Sequence, residues 1–197
     1  MSNGYRCLTE PVFHCGEYTL LSVRPKDIQS IRLWRNAQMN VLRQEREITP
    51  EAQEQYYARE IWPTMEEDTP RQILFSFLHR QTLIGYGGLV YLNWQAKKAE
   101  VSVLFDLSER SEAQYREQLS AYLTLLKQAA FNDLKLHRLW TECYDIRPLH
   151  IAILEQQGFI FEGRLRDHEW IDGSYVDTLF HGCLSSDASE SDLSIVV

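Results

Sequence analysis

The amino-acid sequence predicts a mixed α/β fold, with one sheet and helices on its faces. Residues 99–105 and 138–144 each have the pattern of a strand, and the segment between them carries apolar side chains every three or four positions, as an amphipathic helix does. A strand, a helix and a strand in this order form a crossover between parallel strands. Asp172 and Gly173 separate two further strand-like segments and predict an antiparallel hairpin. Parallel and antiparallel pairs together make the sheet mixed.

Four helices are predicted from their start signals. Pro25 and Pro148 each suit the first turn of a helix, because that position needs no backbone N–H donor. The second helix begins at Thr49, a hydroxyl residue that can cap the helix before a proline. The third and longest helix begins at Ser111, which forms a capping-box pair with Gln114.

Seven strands complete the predicted order, which is strand, two helices, three strands, helix, strand, helix and two strands. The predicted strands are residues 18–24, 73–79, 83–94, 99–105, 138–144, 159–171 and 174–184.

The 197 residues suffice for one domain, which we place at residues 17–184. Residues 1–16 are expected to form an N-terminal extension that precedes the first strand. Residues 185–197 are rich in serine and acidic side chains, so a disordered acidic tail is expected there.

Composition excludes several classes of function. A net charge of −8 argues against a nucleic-acid partner, since phosphate binding needs clustered Lys and Arg. No apolar stretch approaches the roughly 20 residues that cross a bilayer, so no membrane insertion is expected. The first residues lack the apolar core of a signal peptide, and a cytoplasmic location is therefore expected. The 4 cysteines lack paired metal-ligand spacing, which predicts free thiols and no metal.

The order of elements resembles the GCN5-related N-acetyltransferase (GNAT) family, and several short segments sharpen the resemblance. These segments are LIGYGGL at 83–89, AEVSV at 99–103, LEQQGF at 154–159, EGRLRDH at 162–168 and DGSYVD at 172–177. Trp34, Arg35 and Asn36 are similar to the branch that holds ribosomal-protein N-terminal acetyltransferases and amino-sugar N-acetyltransferases. The resemblance covers about residues 17–184. It implies a sheet of about seven strands flanked by four helices, in which the fourth and fifth strands splay apart.

The resemblance also implies that acetyl-CoA, or another acyl-CoA, lies in the gap between the splayed strands. Backbone N–H groups there would bind the pantetheine and polarise the thioester, and the next helix would hold the pyrophosphate at its N-terminus. The implied donor-binding residues are Val103, Leu104, Phe105, Leu107, Arg110, Ser111, Glu112, Ala113, Gln114, Tyr115 and Arg147.

The chain departs from the family at this donor site. The glycine-rich pyrophosphate loop falls on residues 110–115, where Tyr115 puts a large ring and Glu112 a negative charge beside the anion. Arg147 stands where the family usually has asparagine, and it could supply a phosphate contact instead. Leu154 stands where the family often has the tyrosine that protonates the leaving thiolate. Compared with the family's glycine-rich loop, the pyrophosphate loop of this chain is therefore degenerate.

Glu100 is the candidate general base for the acceptor amine. Because strand side chains alternate, Glu100 shares its face with Ser102, and the carboxylate and hydroxyl could act together. The alternative is a glutamate paired with a neighbouring strand. Tyr144 and Tyr115 are candidates to replace the missing proton donor.

The candidate acceptor-binding residues lie on the first predicted helix, at the end of the third predicted strand and near the hairpin; they are Trp34, Asn36, Tyr91, Asn93, Trp94 and His168. Packing or structural hydrogen bonding is the alternative for each of them.

The function predicted from these observations is transfer of an acyl group from acyl-CoA to the amine of a small molecule, with a nucleotide-linked amino sugar favoured. A protein or peptide N-terminus stays open as the acceptor, because an acidic chain suits an acidic sugar nucleotide poorly. A catalytically inactive GNAT-fold binding protein also stays open, given the degenerate loop. A homodimer is a further expectation.

Overall fold

A computed structural model describes residues 4–39, 42 and 44–188. Within them, the chain forms one mixed sheet with the strand order β1-β2-β3-β4-β5-β6-β8-β7. All neighbouring strands are antiparallel except β5 and β6, which are parallel. The strands are β1 (Val12–Cys15), β2 (Tyr18–Ser22), β3 (Ile73–His79), β4 (Thr82–Asn93), β5 (Lys98–Phe105), β6 (Arg138–Tyr144), β7 (Ile160–Ile171) and β8 (Ser174–Leu184).

Four α-helices pack on the sheet: α1 (Ile28–Ala37), α2 (Pro50–Tyr56), α3 (Glu112–Lys127) and α4 (Pro148–Gln156). The predicted caps are present. Thr49 accepts a hydrogen bond from the backbone N–H of Ala52, and Ser111 and Gln114 form a reciprocal capping box. A π-type turn follows α2 and another follows α3.

The predicted mixed fold with four helices is confirmed, and the sheet has one strand more than expected. The additional strand, β1, lies in the segment expected to be an N-terminal extension and forms a hairpin with β2 through Gly16, whose φ is +55°. Its four residues bury only Phe13, so its sequence pattern is too short to stand out.

The expected acidic tail falls mostly on residues 189–197, which lie outside the described residues. Residues 185–188 form a turn against the sheet, where the N–H of Ser185 donates to the carbonyl oxygen of His137 at 2.9 Å. In the part of the chain that the structure describes, no helix has the length and apolar character to span a membrane.

The two faces of the sheet carry separate hydrophobic cores. On one face, which we call the α3/α4 face, Leu119, Leu126 and Ile153 belong to the larger cluster. On the opposite face, the α1/α2 face, Ile28 and Ile31 belong to the smaller cluster. A cavity that passes through the sheet is therefore lined by different sets of residues on the two faces.

The parallel strands β5 and β6 pair over only three residue pairs and then separate. Lys98, Ala99 and Glu100 pair with Arg138, Leu139 and Trp140. Beyond this point β5 continues on β4, and β6 continues on β8. The splayed fourth and fifth strands expected from the family are thus β5 and β6, and a wedge opens between them.

Candidate active site

A cavity of about 270 Å³ occupies the wedge between β5 and β6. Its walls come from both strands, from β4, and from helices on both sides of the sheet. It is lined by Arg35, Leu42, Val90, Tyr91, Glu100, Val101, Ser102, Val103, Leu123, Thr141, Glu142, Cys143, Tyr144, Arg147, His150 and Leu154. The wedge is therefore accessible to groups from both faces of the sheet.

Acidic and hydroxyl side chains line the wedge on the α1/α2 face. On β5, Leu104 packs in the cluster of that face, so alternation places Glu100 and Ser102 there too. On β6, Cys143 packs in the opposite cluster, which places Glu142 and Tyr144 on the α1/α2 face. Glu100 is 6% exposed, so its carboxylate lies at the inner end of the wedge.

The α3/α4 face of the wedge is mostly apolar, with few polar groups. Val101, Leu123 and Leu154 line it. Thr141 also lies on this face and is 5% exposed, and its Oγ1 makes no hydrogen bond to any described residue. Cys143 lies two residues further along β6, and burial raises the pKa of its thiol to about 11. The face thus offers a hydroxyl for hydrogen bonding and an un-ionised thiol.

Tyr115, Arg147 and His150 form a hydrogen-bonded cluster at the edge of this face. The Tyr115 Oη lies 2.8 Å from His150 Nδ1 and accepts a hydrogen bond from Arg147 Nη2 at 2.9 Å. Burial, together with the smaller effects of Arg147 and His181, lowers the pKa of His150 to about 3, so the ring is neutral. Burial raises the pKa of Tyr115, while Arg147 opposes the rise. The Tyr115 ring packs edge-on to Phe105, so it is turned towards the core.

The N-terminus of α3 lies at the end of β5, where the family's pyrophosphate site is expected. The capping box occupies the N–H groups of Ser111 and Gln114 with side-chain partners. Arg110 forms an ion pair with Asp106 and lies over the Phe105 ring, 5.2 Å from its centroid. The capping box therefore satisfies two of the four N–H groups at the start of α3, and an anion that used those two groups would have to displace Gln114 and Ser111.

The structure brings the predicted catalytic residues together and leaves most predicted acceptor-binding residues outside the cavity. Glu100, Ser102 and Tyr144 line the wedge, as does Tyr91, which sits at a bulge of β4 with φ of +49°. Of the predicted donor-binding residues, Val103 and Arg147 line it too.

The other predicted acceptor-binding residues make structural contacts. Asn36 binds the backbone N–H and carbonyl of Ile48, each at 2.9 Å, and Trp34 packs against the α1/α2 cluster. Trp94 donates to the Pro70 carbonyl, Asn93 accepts from the N–H of Ala96, and His168 bonds Thr178 between β7 and β8.

Besides four apolar residues, sequence reasoning missed five residues with polar or sulfur-containing side chains that line the wedge: Arg35, Thr141, Glu142, Cys143 and His150. Thr141, Glu142 and Cys143 are consecutive on β6, and the alternation of side chains along that strand could have assigned each of them to a face of the sheet. His150 lies four residues before Leu154, so the two share one face of α4. This four-residue spacing on α4 was the sequence signal that could have identified His150 as a residue of the site.

Among the described residues, no group of three or more His, Cys, Asp and Glu side chains is arranged to hold a metal ion. The wedge offers instead two carboxylates, hydroxyls and backbone groups along the separated edge of β5, and the capped N-terminus of α3 follows the end of β5. A mixed sheet that opens in this way beside a helix N-terminus is the arrangement that the resemblance to GNAT proteins, a class of acyl-CoA-dependent acyltransferases, implies.

The chain belongs to the GNAT acetyltransferase family, because the family model for the acetyltransferase (GNAT) domain matches residues 20–180. The predicted activity, transfer of an acyl group from acyl-CoA to an amine, and acetyl-CoA as the donor are confirmed by this membership. No curated protein sequence matches the chain.

Solved structures of one bacterial enzyme share the fold. Spermidine N-acetyltransferase from Vibrio cholerae in complex with CoA and spermine has a TM-score of 0.75 at 22% identity, over 88% of this chain and 98% of that chain. A chimera of that enzyme with hSSAT has a TM-score of 0.72 at 21% identity, over 87% and 97%. A point mutant of it has a TM-score of 0.71 at 21% identity, over 90% and 99%.

Proposed function

We propose that the chain transfers an acetyl group to a primary amine of a small, positively charged acceptor, such as a polyamine. The observation that carries the proposal is the pair of carboxylates, Glu100 and Glu142, on the α1/α2 face of the wedge. Opposite charges attract strongly where protein walls exclude water. Tyr91 and Tyr144 line the same cavity and offer ring faces to a cation. The similar Vibrio cholerae enzyme holds spermine, which supports this class of acceptor.

A nucleotide-linked amino sugar, the acceptor favoured by the sequence, fits this face less well. Its diphosphate would approach two carboxylates in a chain of net charge −8. Arg35 also lines the wedge, where its Nε donates to Gln44 Oε1 at 3.1 Å, and its single positive charge faces two carboxylates. A protein N-terminus is a second candidate acceptor, because it too is a cationic amine.

Glu100 would act as the general base for the acceptor. An ammonium group cannot attack a thioester, so a proton must leave the amine nitrogen first. The Glu100 carboxylate lies where β5 and β6 part, at the inner end of the wedge. It would take this proton directly or through a water molecule. Ser102, two residues along the same face, would hold that water or the amine in line.

The residues of the α3/α4 face fit acetyl-CoA, which supplies an activated thioester to the reaction. Beyond Glu100, the edge of β5 no longer pairs with β6, so the amides of pantetheine would pair with backbone groups of this edge other than the Phe105 carbonyl, which accepts from Gln38 Nε2 at 3.0 Å. Thr141 Oγ1, which is buried and makes no hydrogen bond to any described residue, would also bind an amide of pantetheine. Arg147 lines the same side as a cation that suits a phosphate.

Donor binding tests the inactive alternative, which rests on the degenerate loop. At about a hundredfold excess over its dissociation constant, a ligand of the native state stabilises it by about 2.7 kcal/mol. For a domain of this size, the melting temperature should rise by roughly 5–10 °C. We expect this rise with CoA and with acetyl-CoA. No rise with either would favour a GNAT-fold protein without enzymatic activity.

The acceptor is tested by turnover with spermidine, a nucleotide-linked amino sugar and a peptide with a free N-terminus. We expect spermidine to give the highest kcat/KM. Glu142→Gln should raise KM for spermidine and leave the dissociation constant of CoA unchanged. Glu67→Gln is the matched control, because Glu67 is exposed and lies outside the wedge. A higher kcat/KM for the amino sugar or the peptide would contradict the polyamine proposal.

A further inference from the structure

The wedge lacks the proton donor that the family usually places on its last helix, because Leu154 occupies that position and is 1% exposed. One turn earlier on α4, His150 lines the same cavity. Residues four apart on a helix lie on the same face. The imidazole of His150 therefore supplies an N–H group on the cavity wall, where the Leu154 side chain has no proton to donate.

The hydrogen bonds of the cluster are compatible with a relay in which Tyr115 donates to His150. A guanidinium group can only donate, so the Tyr115 oxygen accepts from Arg147 Nη2 at 2.9 Å. The remaining hydrogen of the Tyr115 hydroxyl can then go to His150 Nδ1, which lies 2.8 Å away. In a neutral imidazole one nitrogen accepts and the other donates. In the arrangement in which Tyr115 donates, Nδ1 accepts and Nε2 carries the hydrogen.

We propose that His150 is the catalytic acid of this acetyltransferase and that Tyr115 supplies it with a proton. The Nε2–H bond breaks as an S–H bond forms on the departing CoA thiolate. The Oη–H bond of Tyr115 breaks as an N–H bond forms at His150 Nδ1. The ring ends as its other neutral tautomer, and the Tyr115 phenolate is paired with the Arg147 guanidinium.

Protons balance over the whole turnover. The amine gives one proton to Glu100, which releases it to solvent, and solvent returns one to the Tyr115 phenolate. An ordinary thiol has a pKa of about 8.5 and a phenol of about 10, so the transfer is uphill by about 2 kcal/mol before Arg147 contributes. Burial raises the pKa of the Tyr115 hydroxyl and adds to this cost, and the positive charge of Arg147, 2.9 Å from the phenolate oxygen, offsets part of it.

The tautomer of His150 is the first test, and it needs no turnover. Nitrogen NMR of the ligand-free protein distinguishes the two neutral tautomers. We expect hydrogen at Nε2 in the wild type and a mixture in Tyr115→Phe, which keeps the ring packed on Phe105 but loses the hydroxyl. Hydrogen at Nδ1 in the wild type would mean that His150 donates to Tyr115, and this result would overturn the relay.

Kinetics are the second test, measured with whichever amine the wild type acetylates. General acid catalysis contributes roughly 10²–10⁴-fold, so His150→Gln should lower kcat by about a hundredfold or more. The dissociation constant of CoA should change little. Tyr115→Phe should lower kcat in the same direction, and His14→Gln, in the exposed part of β1, is the matched control. Melting curves check that each variant is folded.

The outcomes separate this inference from the proposed function on which it rests. Turnover of amines other than polyamines would contradict the acceptor and leave the relay intact. Wild-type turnover that His150→Gln and Tyr115→Phe both preserve would overturn the relay alone. A wild type that acetylates no amine would overturn the proposed function and the relay with it.

Discussion

Cys143 brings a thiol to the wall of the wedge, where a nucleophile could in principle be acylated. Burial raises the pKa of this thiol to about 11, so it is protonated at neutral pH and a poor nucleophile. We therefore expect direct transfer from donor to amine, with sequential kinetics. Cys143→Ala should keep kcat within roughly threefold, since no covalent step depends on the residue. Ping-pong kinetics, or an acetylated Cys143 seen by mass spectrometry, would contradict direct transfer.

His150 also links the stability of the fold to pH. Its pKa is lowered from 6.5 to about 3, mainly by burial, so the unfolded chain binds the proton more readily than the native state does. Its contribution to stability is therefore complete above pH 6.5 and falls by up to about 1.4 kcal/mol per pH unit below it. The charged or titratable groups facing the ring are Tyr115 on α3, Arg147 before α4 and His181 on β8.

The measurement is the free energy of unfolding of the wild type and of His150→Gln between pH 7 and pH 4. The wild type should lose stability more steeply than the variant, because glutamine has no proton to take up. The comparison concerns the slopes, since the substitution also changes packing. Parallel slopes would show that His150 is not responsible for the acid sensitivity.

The individual site residues were predictable only where a periodic element carries them. Alternation along β5 placed Glu100 and Ser102 on one face, and both line the wedge. Asn36 was expected to touch the acceptor, but its amide bonds the backbone of Ile48, a contact that no local pattern encodes. His150 was missed because its role depends on Tyr115, 35 residues away in sequence.

Among the elements, α3 is held to the wedge by a contact that only glycine permits. The Tyr122 hydroxyl donates to the Ser102 carbonyl oxygen at 2.6 Å, beside Gly87 of β4. A Cβ at Gly87 would lie 2.1 Å from that carbonyl oxygen and 2.5 Å from the hydroxyl. Strand β5 and the buried Tyr122 ring would both have to move to make space for this Cβ, and both are held by close packing.

Gly87→Ala should therefore destabilise the fold by about 2–4 kcal/mol, a loss typical of severe overpacking. It should also weaken CoA binding, because β5 would be displaced at the wedge. Gly163→Ala is the matched control, since a Cβ there meets nothing within 4 Å. Denaturant unfolding and CoA titration measure both effects. Equal stabilities of the two variants would show that β5 and α3 can separate without cost.

The element order was predictable because the helices and strands differ in period and begin with distinct caps. Ser111 and Gln114 marked the start of α3 correctly, and the long alternating segments became β3 to β8. The short β1 was not predictable, because its four residues bury one side chain and depend on pairing with β2. The splay of β5 and β6 came from the family resemblance, since no local pattern specifies where two strands part.

Over the whole molecule, the net charge of −8 should act in opposite directions on the two substrates. An acidic protein attracts a cationic polyamine and repels anionic acetyl-CoA, and salt screens both effects because the Debye length is about 10 Å at 0.1 M. Raising the salt concentration should therefore lower kcat/KM for spermidine and raise it for acetyl-CoA. Arg110 and Arg147 lie on the side of the wedge proposed to bind acetyl-CoA, so they should weaken the repulsion of acetyl-CoA without reversing it.

Steady-state kinetics at a series of sodium chloride concentrations, with one substrate varied and the other saturating, measure both slopes. Glu142→Gln should flatten the spermidine slope and leave the acetyl-CoA slope unchanged, since Glu142 lines the α1/α2 face of the wedge. Glu67→Gln changes the net charge equally and should leave both slopes close to those of the wild type. If Glu67→Gln flattened the spermidine slope as much as Glu142→Gln does, the attraction would come from the overall charge. The carboxylates of the wedge would then have no special role in selecting a cationic amine.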